Sequence, residues 1–280
     1  MNHEITNKLS AVLNSDFIIV FGSMLNSTNE ELSANVKQAV KENDAKIVYM
    51  HPIDDKKIQE NSALYIKYEV GSEEGICALL LEYFSKNCDA KIKNYLDELD
   101  IGYLSAESSV GEEEFEDMVE LSSNKTNKTL VLSRDLFTHE KIENITKLLA
   151  ILNENSDFTI VVDPLVENGN IELIKCSQAE CPNEVDELKA YDGTVIYNYK
   201  QGENNKLIGG ASFARVAKIS NNDKIVIKHG NKFIESIFEE DSNLQGTIAL
   251  NVIDKNEVNK NSWINEGYSY KQVKIEKVNT

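Results

Sequence analysis

The stretch DFIIVFGSMLNSTNEELSANVKQAVKENDAKIVYMHP, which begins at Asp16, limits the possible folds more than any other part of the chain. Residues 16–21 (DFIIVF) are almost wholly apolar over the length of one strand, as expected where both faces of a sheet are covered. Leu32, Val36, Ala39 and Val40 then fall on one face of a helix that starts near Asn29. Ser27 with Glu30, or Thr28 with Glu31, is spaced as a capping box at its start. AKIVYM follows as a second strand. Strand, helix and strand make a βαβ unit, whose strands run parallel and whose crossover is right-handed. Gly22 and Ser23 occupy the turn after the first strand. Backbone N–H groups in such a turn can face an anion. The alternative reading is that Gly22 only makes the turn and that Ser27 or Thr28 only caps the helix.

The alternation continues. ALYIKYEV reads as a strand, and GSEEGICALLLEYFSK as a helix whose acidic first turn suits the helix dipole. DAKIKNYLDEL and SSVGEEEFEDMVEL read as further helices, the second entered through Ser109. TLVLS is a strand, and Thr138 is placed to cap the helix HEKIENITKLLAIL, with an apolar stripe at Ile142, Ile145, Leu148, Leu149 and Leu152. DFTIVVDP closes the series. The expected fold is α/β: an open, mostly parallel, doubly wound sheet over residues 1–165. Residues 166–192 read as an irregular connection, and 193–280 as a small β-rich module, a partial barrel. Within that module DKIVIKHGNKFIESIF is a hairpin turning at His229-Gly230-Asn231.

Charge and composition then exclude classes of function. The chain has 47 acidic against 29 basic residues, a formal net charge of -18 and a pI near 4.7. Such a field repels nucleic acid and anionic membranes and favours basic protein surfaces. The apolar runs FIIVF, ICALLLEYF, LLAIL and FTIVV fall short of the ~20 residues a spanning helix needs, so direct membrane insertion is not expected. MNHEITNKLS lacks the pattern of a secretory signal.

Cys77, Cys88, Cys176 and Cys181 form no Cys-x-x-Cys pair and lack the tight spacing of an iron–sulfur site. Cys77 reads as a core residue. Cys176 and Cys181 could pair, although the absence of a signal favours thiols. His3, His51, His139 and His229 are scattered and read as surface or turn positions rather than metal ligands. The first turn lacks G-x-G-x-x-G and a Walker lysine, and the second strand ends in MHP rather than an acidic residue for a ribose. No Gly-x-Ser-x-Gly elbow is present. GEEEFED and FEED read as solvated faces.

Taken in order, four segments resemble the molybdopterin oxidoreductase family. DFIIVFGSMLNSTNEELSANVKQAVKENDAKIVYMHP is similar to that family's strand–GSN–helix–strand unit, and YEVGSEEGICALLLEYF to its PGTD helix start. KTLVLSRDLFTHEKIENITKLLAIL and ASFARVAKISNNDKIVIKHGNKFIESIFEEDSNLQGTIAL resemble its later strand–helix segment and its final module. SAESSVGEEEFEDMV and YDGTVIYN resemble, within that family, the large peripheral-arm subunits of NADH-quinone oxidoreductases, the respiratory complex I enzymes.

The resemblance implies a molybdopterin-oxidoreductase-like fold with a cofactor cleft near Gly22, Ser23, His51 and Gly71. This sequence departs from the family there: GSM at Met24 replaces GSN, His51-Pro52-Ile53 lacks the arginine and threonine of DPR…T, and Val70-Gly71-Ser72-Glu73 replaces PGTD. These departures imply a vestigial cleft with no molybdopterin, and no cofactor in this chain. Iron–sulfur clusters would lie elsewhere in a longer parent subunit, of which this chain would be a portion. The expected role is non-catalytic and structural, among other subunits of complex I, in the cytoplasm and peripheral to the inner membrane. Two alternatives stand beside it: part of a genuine molybdopterin-dependent oxidoreductase binding a pterin guanine dinucleotide, and a free-standing nucleotide-binding module.

Overall fold

In the computed structural model, every residue of β2 (Phe17–Phe21) is fully buried, and its side chains divide between two cores. Phe17, Ile19 and Phe21 enter one cluster, while Ile18 and Val20 enter the other. This is the period-2 alternation of a strand covered on both faces. The structure describes residues 4–25, 29–164, 169–177, 180–185, 187–257, 263 and 266–278. The chain divides into two units, Met1–Ala190 and Tyr191–Thr280.

The first unit is built on a six-stranded sheet. Its strands are β1 (Ile5–Thr6), β2, β3 (Lys46–Met50), β4 (Leu64–Ile66), β5 (Lys128–Leu132) and β6 (Phe158–Val162), in the order β1-β6-β5-β2-β3-β4. Every pairing is parallel. On one face α1 (Ser10–Leu13) and α2 (Glu30–Asn43) cover Ile18, Val20, Ile47, Tyr49, Val131 and Val161. On the other, α4 (Glu73–Phe84) and α9 (Ile142–Asn155) supply most of the core, joined by α7 (Glu112–Ser122) through Phe115 and Met118. Between them run α3 (Lys56–Gln59), α5 (Ala90–Asp97), α6 (Ile101–Ser108) and α8 (Arg134–Phe137). No helix among the described residues is long and apolar enough to cross a membrane.

Local signals differ from expectation at several helix ends. Ser27 and Thr28 lie outside the described residues, and the N-cap of α2 is Asn29, whose side chain accepts the Leu32 N–H at 2.9 Å. Thr138 does not cap the helix expected after it. It follows α8 and returns its hydroxyl to the Arg134 carbonyl at 3.1 Å, while α9 starts at Ile142. Ser109 ends α6 in the left-handed region (φ 56°), and Gly111 leads into α7. Only Asn29 among these helix starts is a side-chain cap: α7 and α9 begin after Gly111 and Lys141, neither of which makes a cap hydrogen bond. The four cysteines are free thiols. The expected irregular stretch 166–192 contains α10 (Gly169–Cys176), and its later part packs onto the first unit through Val185 and Leu188.

The second unit is a curled, mixed sheet around its own core. Its strands are β7 (Val195–Gly202), β8 (Lys206–Gly209), β9 (Lys224–His229), β10 (Lys232–Glu240), β11 (Ile248–Asp254), β12 (Tyr270–Gln272) and β13 (Lys274–Lys277). The order is β12-β7-β11-β8-β10-β9-β13. The segment expected as one final strand is thus divided at Val273: β12 pairs with β7 and β13 with β9. One continuous segment therefore serves both ends of the sheet, which leaves little edge exposed for pairing with another chain. The β9–β10 hairpin turns at Gly230 (φ 58°) and Asn231, as expected. Phe213 from α11 (Ala211–Ala217) stacks on Phe238 inside the curl.

Gly22 gives the first test of this packing. Its φ is +71°, and a Cβ at this position would overlap the Leu136 Cδ1 methyl. Gly22→Ala is expected to cost roughly 2–4 kcal/mol, the sum of left-handed backbone strain and overpacking. Urea unfolding of the two proteins checks this, with a lower midpoint and an unchanged slope as the expected outcome.

Candidate functional site

A parallel sheet offers its ligand crevice at the carboxyl ends of the strands, where successive connections part in opposite directions. Here that point lies between β2 and β5. The chain leaves β2 towards β3 on one side, and leaves β5 towards β6 on the other. Gly22 and Ser23 follow β2, Ser133–Asp135 follow β5, His51 follows β3 and Asp163 follows β6.

The sequence points to Gly22, Ser23, His51 and Gly71, and the structure connects most of them through neighbours that carry no sequence motif. Ser23 is buried, and its carbonyl accepts the Tyr49 hydroxyl at 2.8 Å. The Tyr49 ring stacks on His51 with centroids 6.1 Å apart. His51, expected at a surface or turn, is completely buried. Its Nδ1 lies 3.1 Å from both the N–H and the carbonyl oxygen of Ile53, and its Nε2 faces the Asp135 carboxylate at 3.4 Å. Asp135 is also completely buried, and its Cβ lies 3.4 Å from where a Gly22 Cβ would be. Gly71 stands apart from this group, and its carbonyl is held by His139 Nε2 at 3.2 Å.

His139 is the second histidine expected at the surface and found inside. Its Nδ1 accepts the Lys141 N–H at 3.0 Å, so Nε2 carries the single proton and donates it to the Gly71 carbonyl, with Glu73 Oε2 3.5 Å away. Burial pushes this imidazole down to about 4, only partly offset by the Gly71 carbonyl and Glu140. The ring is therefore neutral at pH 7, and its approach to Glu73 is not an ion pair. Glu73 also receives the Tyr68 hydroxyl at 3.4 Å. Glu74, likewise buried in the first turn of α4, accepts from the Asn144 side chain at 2.8 Å.

On the other side of the switch point Asp163 closes the arrangement. It accepts the Asn29 side-chain amide at 2.7 Å and the Ser133 hydroxyl at 3.2 Å, while its own N–H bonds the Leu132 carbonyl. Asn29 thus caps α2 with its oxygen and ties α2 to the end of β6 with its nitrogen. Glu73, Glu74, Asp135, Asn144 and Asp163 are invisible to sequence reasoning because an acidic or amide residue beside a helix start looks solvated. The available signal is position: most of them lie at a helix N-terminus or at a strand's carboxyl end.

These groups decide what the crevice can hold. A pterin guanine dinucleotide brings two phosphates, which need N–H donors or cations. The buried side chains beside Gly22 are instead Leu136 and the carboxyl-bearing Asp135, and the neighbouring Arg134 is exposed. The space that a glycine opens for a ligand is filled by Leu136. The described residues do not fit such a dinucleotide. Nor does any group of three or more His, Cys, Asp or Glu among them converge as a metal site. Buried hydrogen bonds in this cluster join the end of β2 to β3 through Ser23 and Tyr49, the ends of β5 and β6 to the start of α2 through Ser133, Asp163 and Asn29, and the start of α4 to α9 through Glu74 and Asn144.

No protein-family model matches the chain, and no curated protein matches it either.

Two outcomes test the cluster. Asn29→Ala removes a cap bond and one donor to Asp163, and is expected to cost about 1–3 kcal/mol in urea unfolding. For His139 the unfolded imidazole titrates near ~6.5 and the folded one near 4. Between those values the unfolded chain binds a proton that the folded chain does not, so stability falls as pH falls through this window and is unaffected by this group above it. The loss is at most about 3 kcal/mol. His139→Gln is expected to flatten the wild-type difference in unfolding free energy between pH 6.5 and 4, measured in parallel urea titrations.

Proposed function

We propose that the chain is a non-catalytic, structural module of molybdopterin-oxidoreductase type, of the kind carried by the large peripheral-arm subunit of NADH-quinone oxidoreductase. The observation that carries this reading is the crevice at the β2–β5 switch point. Its glycine turn is kept, with Gly22 at φ +71°, while the space beside it is taken by Leu136 and Asp135. A ligand-holding shape has become a packing joint. The ordered sequence segments that resemble the family supply the remaining support, together with the succession of a parallel α/β unit and a curled β unit.

On this reading the chain binds no pterin and carries no cluster of its own. It packs among other subunits of respiratory complex I at the cytoplasmic side of the inner membrane, and supports electron transfer to quinone without touching the electrons. Its acidic surface would meet basic surfaces of its neighbours.

Affinity capture of the tagged full-length polypeptide from its native membranes, followed by mass spectrometry, tests the assignment. Co-recovery of other complex I subunits, with no molybdenum and no pterin fluorescence in the purified protein, is the expected result. Molybdenum and pterin at near-stoichiometric levels would overturn it in favour of a working molybdopterin enzyme. A protein recovered without partners, but stabilised against heat by a guanine nucleotide, would overturn it in favour of a nucleotide-binding module.

A further inference from the structure

The net charge is unevenly divided. Residues 1–190 hold 17 Lys and Arg against 36 Asp and Glu, a formal -19, whereas residues 191–280 hold 12 against 11, a formal +1. Within the first unit, a half-open cleft of about 550 Å³ runs between α5 and α6 on one side and the extended segment 181–185 on the other. That volume lies in the usual range for small-molecule sites.

The walls of the cleft are fixed before any ligand arrives. Asn183 is clamped to α9 in both directions: its N–H donates to Asn144 Oδ1 at 2.6 Å, and its carbonyl accepts from Asn144 Nδ2 at 3.1 Å. Val185 and Leu188 anchor the segment in the core, and Leu188 lies close against Gly75, where a Cβ would meet its Cδ1 at 2.8 Å. Two tyrosines on the lining are held by the same segment. The Tyr95 hydroxyl donates to the Asn183 carbonyl at 3.2 Å, and the Tyr103 hydroxyl accepts the Leu188 N–H at 3.2 Å. Both rings are thereby set as walls with little freedom left to lose on binding.

The charges on the lining are three carboxylates, Glu98, Asp100 and Glu184, against one cation, Lys91. Asp100 accepts the Tyr103 N–H as the cap of α6, and none of the three forms an ion pair among the described residues. They stand on both walls, Glu98 and Asp100 at the α5–α6 junction and Glu184 on the facing segment. They do not converge as the ligands of a metal ion would. Separated anions beside aromatic faces match a cation whose charges are likewise separated, on a carbon chain that can lie along the rings.

From this we infer that the cleft between α5, α6 and residues 181–185 is a binding site for a linear organic polyamine. Its ammonium groups pair with Glu98, Asp100 and Glu184, and its methylenes lie against Tyr95 and Tyr103.

The test is calorimetric titration of the whole chain with spermidine at moderate salt. Wild type is expected to show saturable one-to-one binding. Glu98→Gln and Glu184→Gln, each about three- to tenfold weaker, would mark the cleft. Glu113→Gln, on the exposed face of α7, is expected to bind as wild type does. Circular dichroism confirms that each variant is folded. Equal weakening by Glu113→Gln, or displacement of spermidine by magnesium at matched charge, would show diffuse attraction to an acidic surface and overturn the inference. Absence of saturable binding to the wild type would overturn it as well. These outcomes are independent of whether the chain co-purifies with complex I subunits.

Discussion

The structure of the first unit depends on one constraint: β2 has no face that can meet water. A strand with Phe17, Ile18, Ile19, Val20 and Phe21 all buried must lie inside a sheet, and that sheet must be covered on both sides. The order β1-β6-β5-β2-β3-β4 follows from this, since β2 takes an interior place and the later strands are laid down outwards from it in two directions. The helices on the two faces then differ in kind. α2 is amphipathic, with its solvent side built from Glu and Lys, whereas α4 is buried nearly all round because α7 and α9 also pack against it.

The same winding that buries β2 creates a crevice at its carboxyl end, and the chemistry of that crevice is unusual for its position. In place of donors aimed at a ligand, it holds carboxylates: Asp163 and Glu74 accept from asparagines and a serine, while Asp135 faces His51 with neither oxygen hydrogen-bonded among the described residues. Burying such groups is expensive unless their hydrogen bonds are made. Most of those bonds run between different elements: Asn29 to Asp163, Asn144 to Glu74, His139 to Gly71. They therefore fix how helices meet strand ends, a task for which apolar contacts alone are less specific. His139 shows the cost of this arrangement, since an imidazole committed to being neutral makes the joint sensitive to acid.

The second unit manages a different problem. A seven-stranded sheet has two edges, and this one curls until a single segment, broken at Val273, pairs at both ends. Two of its pairings, β7 with β11 and β8 with β10, are parallel, so the connections must cross the sheet rather than turn back as hairpins. Its charges nearly cancel, and the acidity of the whole chain belongs to the first unit, where helical surfaces such as Glu112, Glu113, Glu116 and Asp117 on α7 stay solvated, as their sequence suggests.

The sequence by itself determined the strands and helices whose apolar pattern spans a full element: β2, β3, β5, β6, α2, α4 and α9, and the hairpin at Gly230. Burial over many residues is a summed signal, and it outweighs any single misplaced cap. It also placed Gly22, Ser23, His51 and Gly71 near strand ends and helix starts. Tertiary structure alone decided what surrounds them. Whether Asp135 faces water or His51, whether Leu136 or a ligand fills the space over Gly22, and whether His139 is solvated or neutral inside the core depend on elements more than fifty residues apart meeting across the sheet. No local pattern records such contacts, because a carboxylate beside a helix start has the same neighbours in sequence whether it is exposed or buried.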